Sequence, residues 1–191
     1  MMKTARSFIF TLLFVAFSSC PVFAAGGILY QSSEHMFTIE LPEGWILDKE
    51  HRERNILVLA KTTEGESINV AVEKLDAKYA AYTFDDFTAP DLEDYIRELE
   101  QKLHSINADV RLQEWGVKKV ADKKAVWLLL NLPLHNSDTV IQMKTLHVQI
   151  MNSARLYMIT CGSTNKNFPK FRKIFEQTIH SLKFEMPGIS V

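Results

Sequence analysis

Apolar side chains recur at every second residue early in this chain and at every third or fourth residue from Leu92 onward. That change of period constrains the fold more than any other feature. Phe37, Ile39 and Leu41 alternate with Thr38 and Glu40, and Ile68, Val70 and Val72 alternate in the same way. Period two puts one face of a strand on a core. Leu92, Ile96, Leu99, Leu103 and Ile106 then follow helical spacing, with Tyr95 widening the stripe. Strand-like alternation resumes after residue 110, and a second helical pattern closes the chain. Strands and helices are therefore segregated rather than interleaved, which is an α+β order and not a parallel βαβ repeat.

Local signals sharpen the elements. Pro42-Glu43-Gly44 ends the first strand, with Trp45 available to the core beyond it. Residues 55–61 read as a strand, and Thr62-Thr63-Glu64-Gly65-Glu66 as the turn into the next. Thr88-Ala89-Pro90-Asp91 is a capped helix start, supported further on by Glu93 to Arg97 and Glu98 to Lys102 at i,i+4. Residues 110–120, 125–132, 139–150 and 155–162 read as four more strands. The run 125–132 is almost unbroken in apolar character, which suggests a central strand covered on at least one face. Alternation in 139–150 slips near Lys144, which suggests a bulge. Asn165 or Asn167 caps a second helix carrying Phe168, Phe171, Phe175 and Leu182 on one face. Residues 182–184 add a short terminal strand. The expected architecture is one antiparallel sheet of about six to seven strands with two packed α-helices.

Two stretches resemble a known fold. Phe37-Thr38-Ile39-Glu40-Leu41-Pro42-Glu43-Gly44-Trp45 is similar to the F-x-I-x-x-P-x-x-W opening of PsbP-like proteins. Phe168 through Phe184, a helix running into Ser181-Leu182-Lys183-Phe184, is similar to their ending. That fold occurs in the oxygen-evolving photosystem protein PsbP, in a small Ran-binding nuclear protein and in exported bacterial PsbP/DcrB-like proteins. The resemblance implies a fold over nearly all of the chain. Because its members do unrelated jobs, mostly as accessory or binding proteins, it implies no particular function.

The N-terminus carries an address. Lys3 and Arg6 precede a short apolar run, Phe8 to Phe17, and Val22 and Ala24 supply the small residues before a cut between Ala24 and Ala25. The run is about half of the roughly 20 residues a bilayer span needs. Residues 1–24 are thus expected to be a signal peptide, 25–34 a leader and 35–186 a single domain. The destination is periplasmic or extracellular. A lipid anchor at Cys20 is the alternative, because Phe17-Ser18-Ser19-Cys20 resembles a degraded lipobox. After cleavage only Cys161 remains, so no intramolecular disulfide can form. Cys161 follows a strand-like run and reads as a buried, quiet thiol. Charge is balanced, with 22 basic and 23 acidic residues among 191. Nucleic-acid binding, which needs a basic excess, is not indicated.

Motifs for chemistry are weak. His51 lies in a run of charge that supplies its own counterions. Glu176 with His180, and Glu100 with His104, have i,i+4 spacing but lack a third ligand and the His-Glu-x-x-His pattern. Asp85, Asp86, Asp91, Glu93 and Asp94 are dense in carboxylates but do not form a calcium loop. Gly162-Ser163-Thr164 is not a nucleophile elbow, and no glycine-rich phosphate loop exists. Trp45, Trp115 and Trp127 read as packing residues on strands. No catalytic, cofactor or metal residue is assigned on these grounds.

The remaining candidate is a contact surface. Tyr82-Thr83-Phe84-Asp85-Asp86-Phe87 sits between the meander and the first helix. Phe84, Asp85, Asp86 and Phe87 are the candidate contacts: rings offer area, and carboxylates select a basic partner. The competing reading tucks Phe84 and Phe87 under the helix as a staple and leaves the two acids solvated. The function expected is a non-catalytic accessory protein acting through an envelope protein partner. A carrier of a small molecule or divalent ion is the alternative.

Overall fold

The computed structural model describes residues 27–48, 56–136 and 139–184. The signal segment, the Ala24–Ala25 cut, Cys20 and His51 lie outside the described residues.

In chain order the strands are β1 (Ile28–Ser32), β2 (Phe37–Leu41), β3 (Ile46–Leu47), β4 (Ile56–Lys61) and β5 (Ser67–Lys74). Helix α1 (Ala89–Ile106) follows, then β6 (Arg111–Val120), β7 (Lys123–Asn136), β8 (Thr139–Asn152) and β9 (Arg155–Thr164). Helix α2 (Phe168–His180) and β10 (Lys183–Phe184) complete the fold. The architecture is α+β. It has two antiparallel sheets rather than the single one expected: a seven-stranded sheet in the order β3-β4-β5-β9-β8-β7-β6, and a small sheet β1-β2-β10. The segment expected to be a leader contributes β1, which pairs with β2 from Ile28↔Leu41 to Ser32↔Phe37. Sequence alone hides this, because β1 is an exposed edge strand with no buried side chain to mark a period.

Three layers result. On one face of the large sheet, α2 and β2 enclose Phe37, Ile39, Trp45, Phe175, Ile179 and their neighbours. On the other, α1 and the segment before it enclose Phe84, Leu92, Ile96, Val126, Leu128 and Leu130. Strand β7 feeds both cores by simple alternation: Ala125 and Leu129 face α2, while Val126, Leu128 and Leu130 face α1. Its unbroken apolar run is the consequence. Yet β7 is not central; it is second from the edge. Pro133 lies where β7 extends past the last β6 pair, Arg111↔Asn131, so no ladder bond to β6 is lost there.

The apparent slip near Lys144 is not a bulge. Pairing of β8 with β7 runs without a break from Ala125↔Ile150 to Asn136↔Thr139. The pattern slips because polar Thr145, His147 and Gln149 occupy positions facing α1. The bulges lie instead between Ile56 and Val58 and between Leu112 and Glu114.

Helix α1 starts as expected. The Thr88 amide donates to Asp91 Oδ2 at 2.9 Å, and the Asp91 amide donates back to Thr88 Oγ1 at 3.4 Å. Its buried face is centred on Leu92 and Ile96. Leu99 and Leu103 are half-buried, and Ile106 is 76% exposed. Arg97 pairs with Asp94 rather than Glu93. The N-cap of α2 is Asn167, but its side chain does not cap; it turns to a carboxylate described below.

Gly116 is required by a close approach. A Cβ there would stand 2.9 Å from Nε1 of Trp127, whose indole lies against the strand.

Candidate functional site

The segment between β5 and α1 is built by repetition. Thr83-Phe84-Asp85-Asp86 forms a 3₁₀ turn at Phe84–Asp86 closed by its own capping box, with the Thr83 amide donating to Asp86 Oδ2 at 2.8 Å. Five residues on, Thr88 and Asp91 repeat the device for α1. The repeated Thr-x-x-Asp was legible in the sequence, though only its second copy was read. Phe84 lies inside the first box, as the buried residue of that turn.

Phe84 is fully buried at 0% exposure and packs edge-on against Phe87 and Tyr95 at 5.5 and 5.3 Å. It therefore cannot serve as the partner contact expected of it: the rigid turn aims its ring into the α1 core. Phe87 is half-buried and also meets Tyr95. Asp86 spends its carboxylate on Thr83. Asp85 is exposed and accepts from the Lys124 amide at 3.4 Å. The four candidates thus divide into one core residue, one wall and two surface acids.

What the segment and α1 build together is a groove of about 450 Å³. Its aromatic walls are Tyr82, Phe87 and Tyr95; its carboxylates come from Asp86, Asp91, Asp94 and Glu98. Beside it, sharing Tyr82 and Phe87, is an apolar pocket of about 220 Å³ completed by Leu75, Tyr79 and Met151. Asp91, Asp94 and Glu98 come from α1 at helical spacing, so one helix face presents three carboxylates in a row. Two hydrogen bonds from Thr88 hold the Asp91 carboxyl below its usual range. The groove therefore offers negative charge against π-faces, a combination that attracts cations.

Behind the groove runs a buried polar chain that sequence reasoning missed. The Tyr95 hydroxyl donates to Gln149 Oε1, the Gln149 amide donates to His147 Nε2 at 2.9 Å, and His147 Nδ1 meets Thr160 Oγ1 at 2.8 Å. Because Nε2 accepts, the ring proton sits on Nδ1 and is donated to Thr160, so every member is satisfied with His147 neutral. His147 is half-buried as a residue, but both ring nitrogens are bonded to protein, and desolvation pushes its pKa down to about 4. Burial, then the Glu73 carboxylate, push the Tyr95 hydroxyl up to about 12. The only sequence signal was the polar slip in β8.

A second buried polar cluster lies at the far end of the fold. Glu66, in the β4–β5 turn, accepts from Thr62 Oγ1, from Ser163 Oγ at 3.3 Å and from Asn167 Nδ2 at 3.1 Å. Burial would raise its pKa, but these bonds and its own amide outweigh that and lower it. This carboxylate ties the turn to β9 and the start of α2. We expect Glu66→Ala to destabilise the protein by about 1–2 kcal/mol in urea unfolding, since three donors lose their acceptor. Because the folded pKa is depressed, the contribution is complete above the ordinary value of 4.5 and is lost as pH falls through the folded one. An unchanged midpoint at neutral pH would count against this role.

The other candidates are absorbed by structure. Cys161 is fully buried and burial raises its pKa, which disfavours the thiolate. Glu176 takes Arg172 at 3.1 Å, and His104 bonds the Val110 carbonyl at 2.8 Å. Among the described residues, no three His, Cys, Asp or Glu side chains converge as a metal site. Trp45 lies in the core, edge-on to Phe171 and Phe175, and Trp115 is exposed on β6. No described helix is long and apolar enough to cross a membrane.

Comparison with solved structures places the architecture. The chain is similar to cyanobacterial PsbP from Synechocystis sp. PCC 6803, with TM-score 0.61 at 15% identity over 88% of this chain and 98% of that one. It is also similar to LpqN of Mycobacterium tuberculosis, described as involved in cell envelope biogenesis (TM-score 0.50, 7% identity, 84% and 91% covered). The yeast Ran-binding protein Mog1p from Saccharomyces cerevisiae aligns at TM-score 0.47 and 10% identity, with 83% and 95% covered. No curated protein matches in sequence. At these identities the likenesses to the cyanobacterial PsbP and LpqN show a shared fold and nothing of function. The PsbP family model matches residues 25–184, almost the whole of the chain that follows its first two dozen residues, and the protein belongs to the PsbP family.

Proposed function

We propose that this protein is an exported, non-catalytic accessory protein that holds a basic segment of an envelope protein partner in the groove at the start of α1. The observation that carries the reading is the meeting of aromatic walls and carboxylates in that groove, with an apolar pocket alongside. A segment with an apolar side chain next to Lys or Arg satisfies both halves: the apolar group fills the Leu75–Met151 pocket, and the cation lies among the groove's aromatic walls and the Glu98 carboxylate. Export rests on the N-terminal charge and small-residue pattern, and the envelope-linked description of LpqN is consistent with it.

The acids to test are Glu98 and Asp94, the latter meeting Arg97 only through an exposed ion pair, because Asp86 and Asp91 also cap and their loss would confound binding with folding. Fluorescence anisotropy with labelled peptides pairing Leu or Phe with Lys or Arg is expected to show salt-sensitive binding. Asp94→Asn with Glu98→Gln should weaken it at least fivefold without moving the melting temperature. Equal binding of acidic control peptides, or indifference to the double variant, would remove the proposal. Calcium binding by isothermal titration would instead favour the ion-carrier alternative. Intact mass of the secreted protein should show the chain beginning at Ala25.

A further inference from the structure

Strand β6 forms one edge of the seven-stranded sheet, and among the described residues no strand pairs its outer side. It is ten residues long and carries Trp115 and Val117 at 38% and 48% exposure, both on the α1 face. Long edges with apolar side chains are templates for further pairing. We propose that β6 pairs antiparallel with β6 of a second copy of this chain, about a twofold axis at Gly116, continuing the sheet across a dimer.

The sequence selects this register. With Gly116 opposite its own copy, Trp115 faces Val117 of the second copy and Glu114 faces its Lys118, each pair occurring twice. Trp115 and Val117 then pack on the α1 side and the opposite charges meet on the α2 side. Centring on Trp115 instead sets Glu114 against Gly116 and Val117 against Gln113. Centring on Val117 sets Trp115 against Lys119 and Gly116 against Lys118. Neither joins a charge to its opposite. Gly116 leaves no side chain of its own on the α2 face at the axis, where the Trp127 indole lies instead.

Lys118, Lys119 and the bulge between Leu112 and Glu114 are features that blunt an edge against indiscriminate pairing. In the Gly116 register the bulge falls outside the five-residue ladder 114–118, and Lys118, half-buried within the field of Glu176, gains a second carboxylate. The same features then exclude other partners and permit this one.

Sedimentation equilibrium of the purified protein over a wide concentration range tests the pairing. A concentration-dependent dimer that weakens in high salt is expected. Glu114→Lys, on an exposed side chain, should weaken it about tenfold by turning two attractions into repulsions. Glu114→Lys with Lys118→Glu should restore it in part, since the swapped charges again face their opposites while the carboxylate at 118 also meets that of Glu176. Trp115→Ser should weaken it as well. Should the double variant fail to fold, Glu114→Lys and Trp115→Ser carry the test alone. A protein that stays monomeric throughout, or a dimer indifferent to both single variants, overturns the proposal. Peptide binding at the groove reads out separately, so either proposal can fail without the other.

Discussion

Phe84→Ala is expected to lower the unfolding free energy by about 3–5 kcal/mol, the range for removing a fully buried aromatic ring. The ring lies under α1 with Phe87 and Tyr95 edge-on to it. Those pairs are worth more than their area alone, because offset rings align opposite parts of their quadrupoles. The turn holding Phe84 is closed by the Thr83–Asp86 box, so the backbone cannot readily collapse into the void. Phe84→Leu keeps most of the volume and should cost about 1–2 kcal/mol. Phe87→Ala, at a half-buried wall, should fall well below Phe84→Ala. Urea midpoints at constant m-value measure all three. A loss under about 1 kcal/mol for Phe84→Ala would mean that this segment is not anchored in the core.

Lowering the pH from 6.5 to 4 is expected to remove on the order of 2 kcal/mol of stability through His147 alone. The sign follows from the direction of its shift. In the unfolded chain the imidazole takes up a proton near 6.5; in the folded protein burial holds it neutral until about 4. Between those values the unfolded state binds more protons, so stability falls with pH across that window and levels off below it. The full shift would give more, and the partial exposure of the residue reduces it. Protonation would also put an N–H at Nε2, against the Gln149 amide donor, and break the chain to Tyr95. His147→Gln should flatten the pH dependence between 6.5 and 4.5. The loss at lower pH, where Glu66 protonates, should survive. A wild-type midpoint that is level from pH 7 to 4.5 would sink the assignment.

Much of this fold was legible because its signals were local. The Thr88–Asp91 cap, the turn ending at Glu66 and the alternation of β2 and β5 each depend on neighbours a few residues away. The features missed depend on what lies across space. β1 buries nothing fully and is defined only by hydrogen bonds to β2. His147 and Gln149 look like a break in a pattern until α1 brings the Tyr95 hydroxyl over them. The acidic patch was visible, but not how it divides: Asp86 and Asp91 are occupied as caps, and Glu98, one turn further along α1, completes the groove. Phe84 had two readings, and only the geometry of the turn could choose between them.

The alternation of β7 has a thermodynamic consequence. One continuous backbone serves as the floor of both cores, with Ala125 and Leu129 below and Val126, Leu128 and Leu130 above. Neither core can melt while β7 stays in place without exposing the underside of the other. The α1 layer and the α2 layer share this strand, and denaturation is expected to take the form of one transition rather than the peeling of successive layers. A disturbance at the groove that loosens β7 is felt at Phe175 and Ile179, on the opposite side of the molecule.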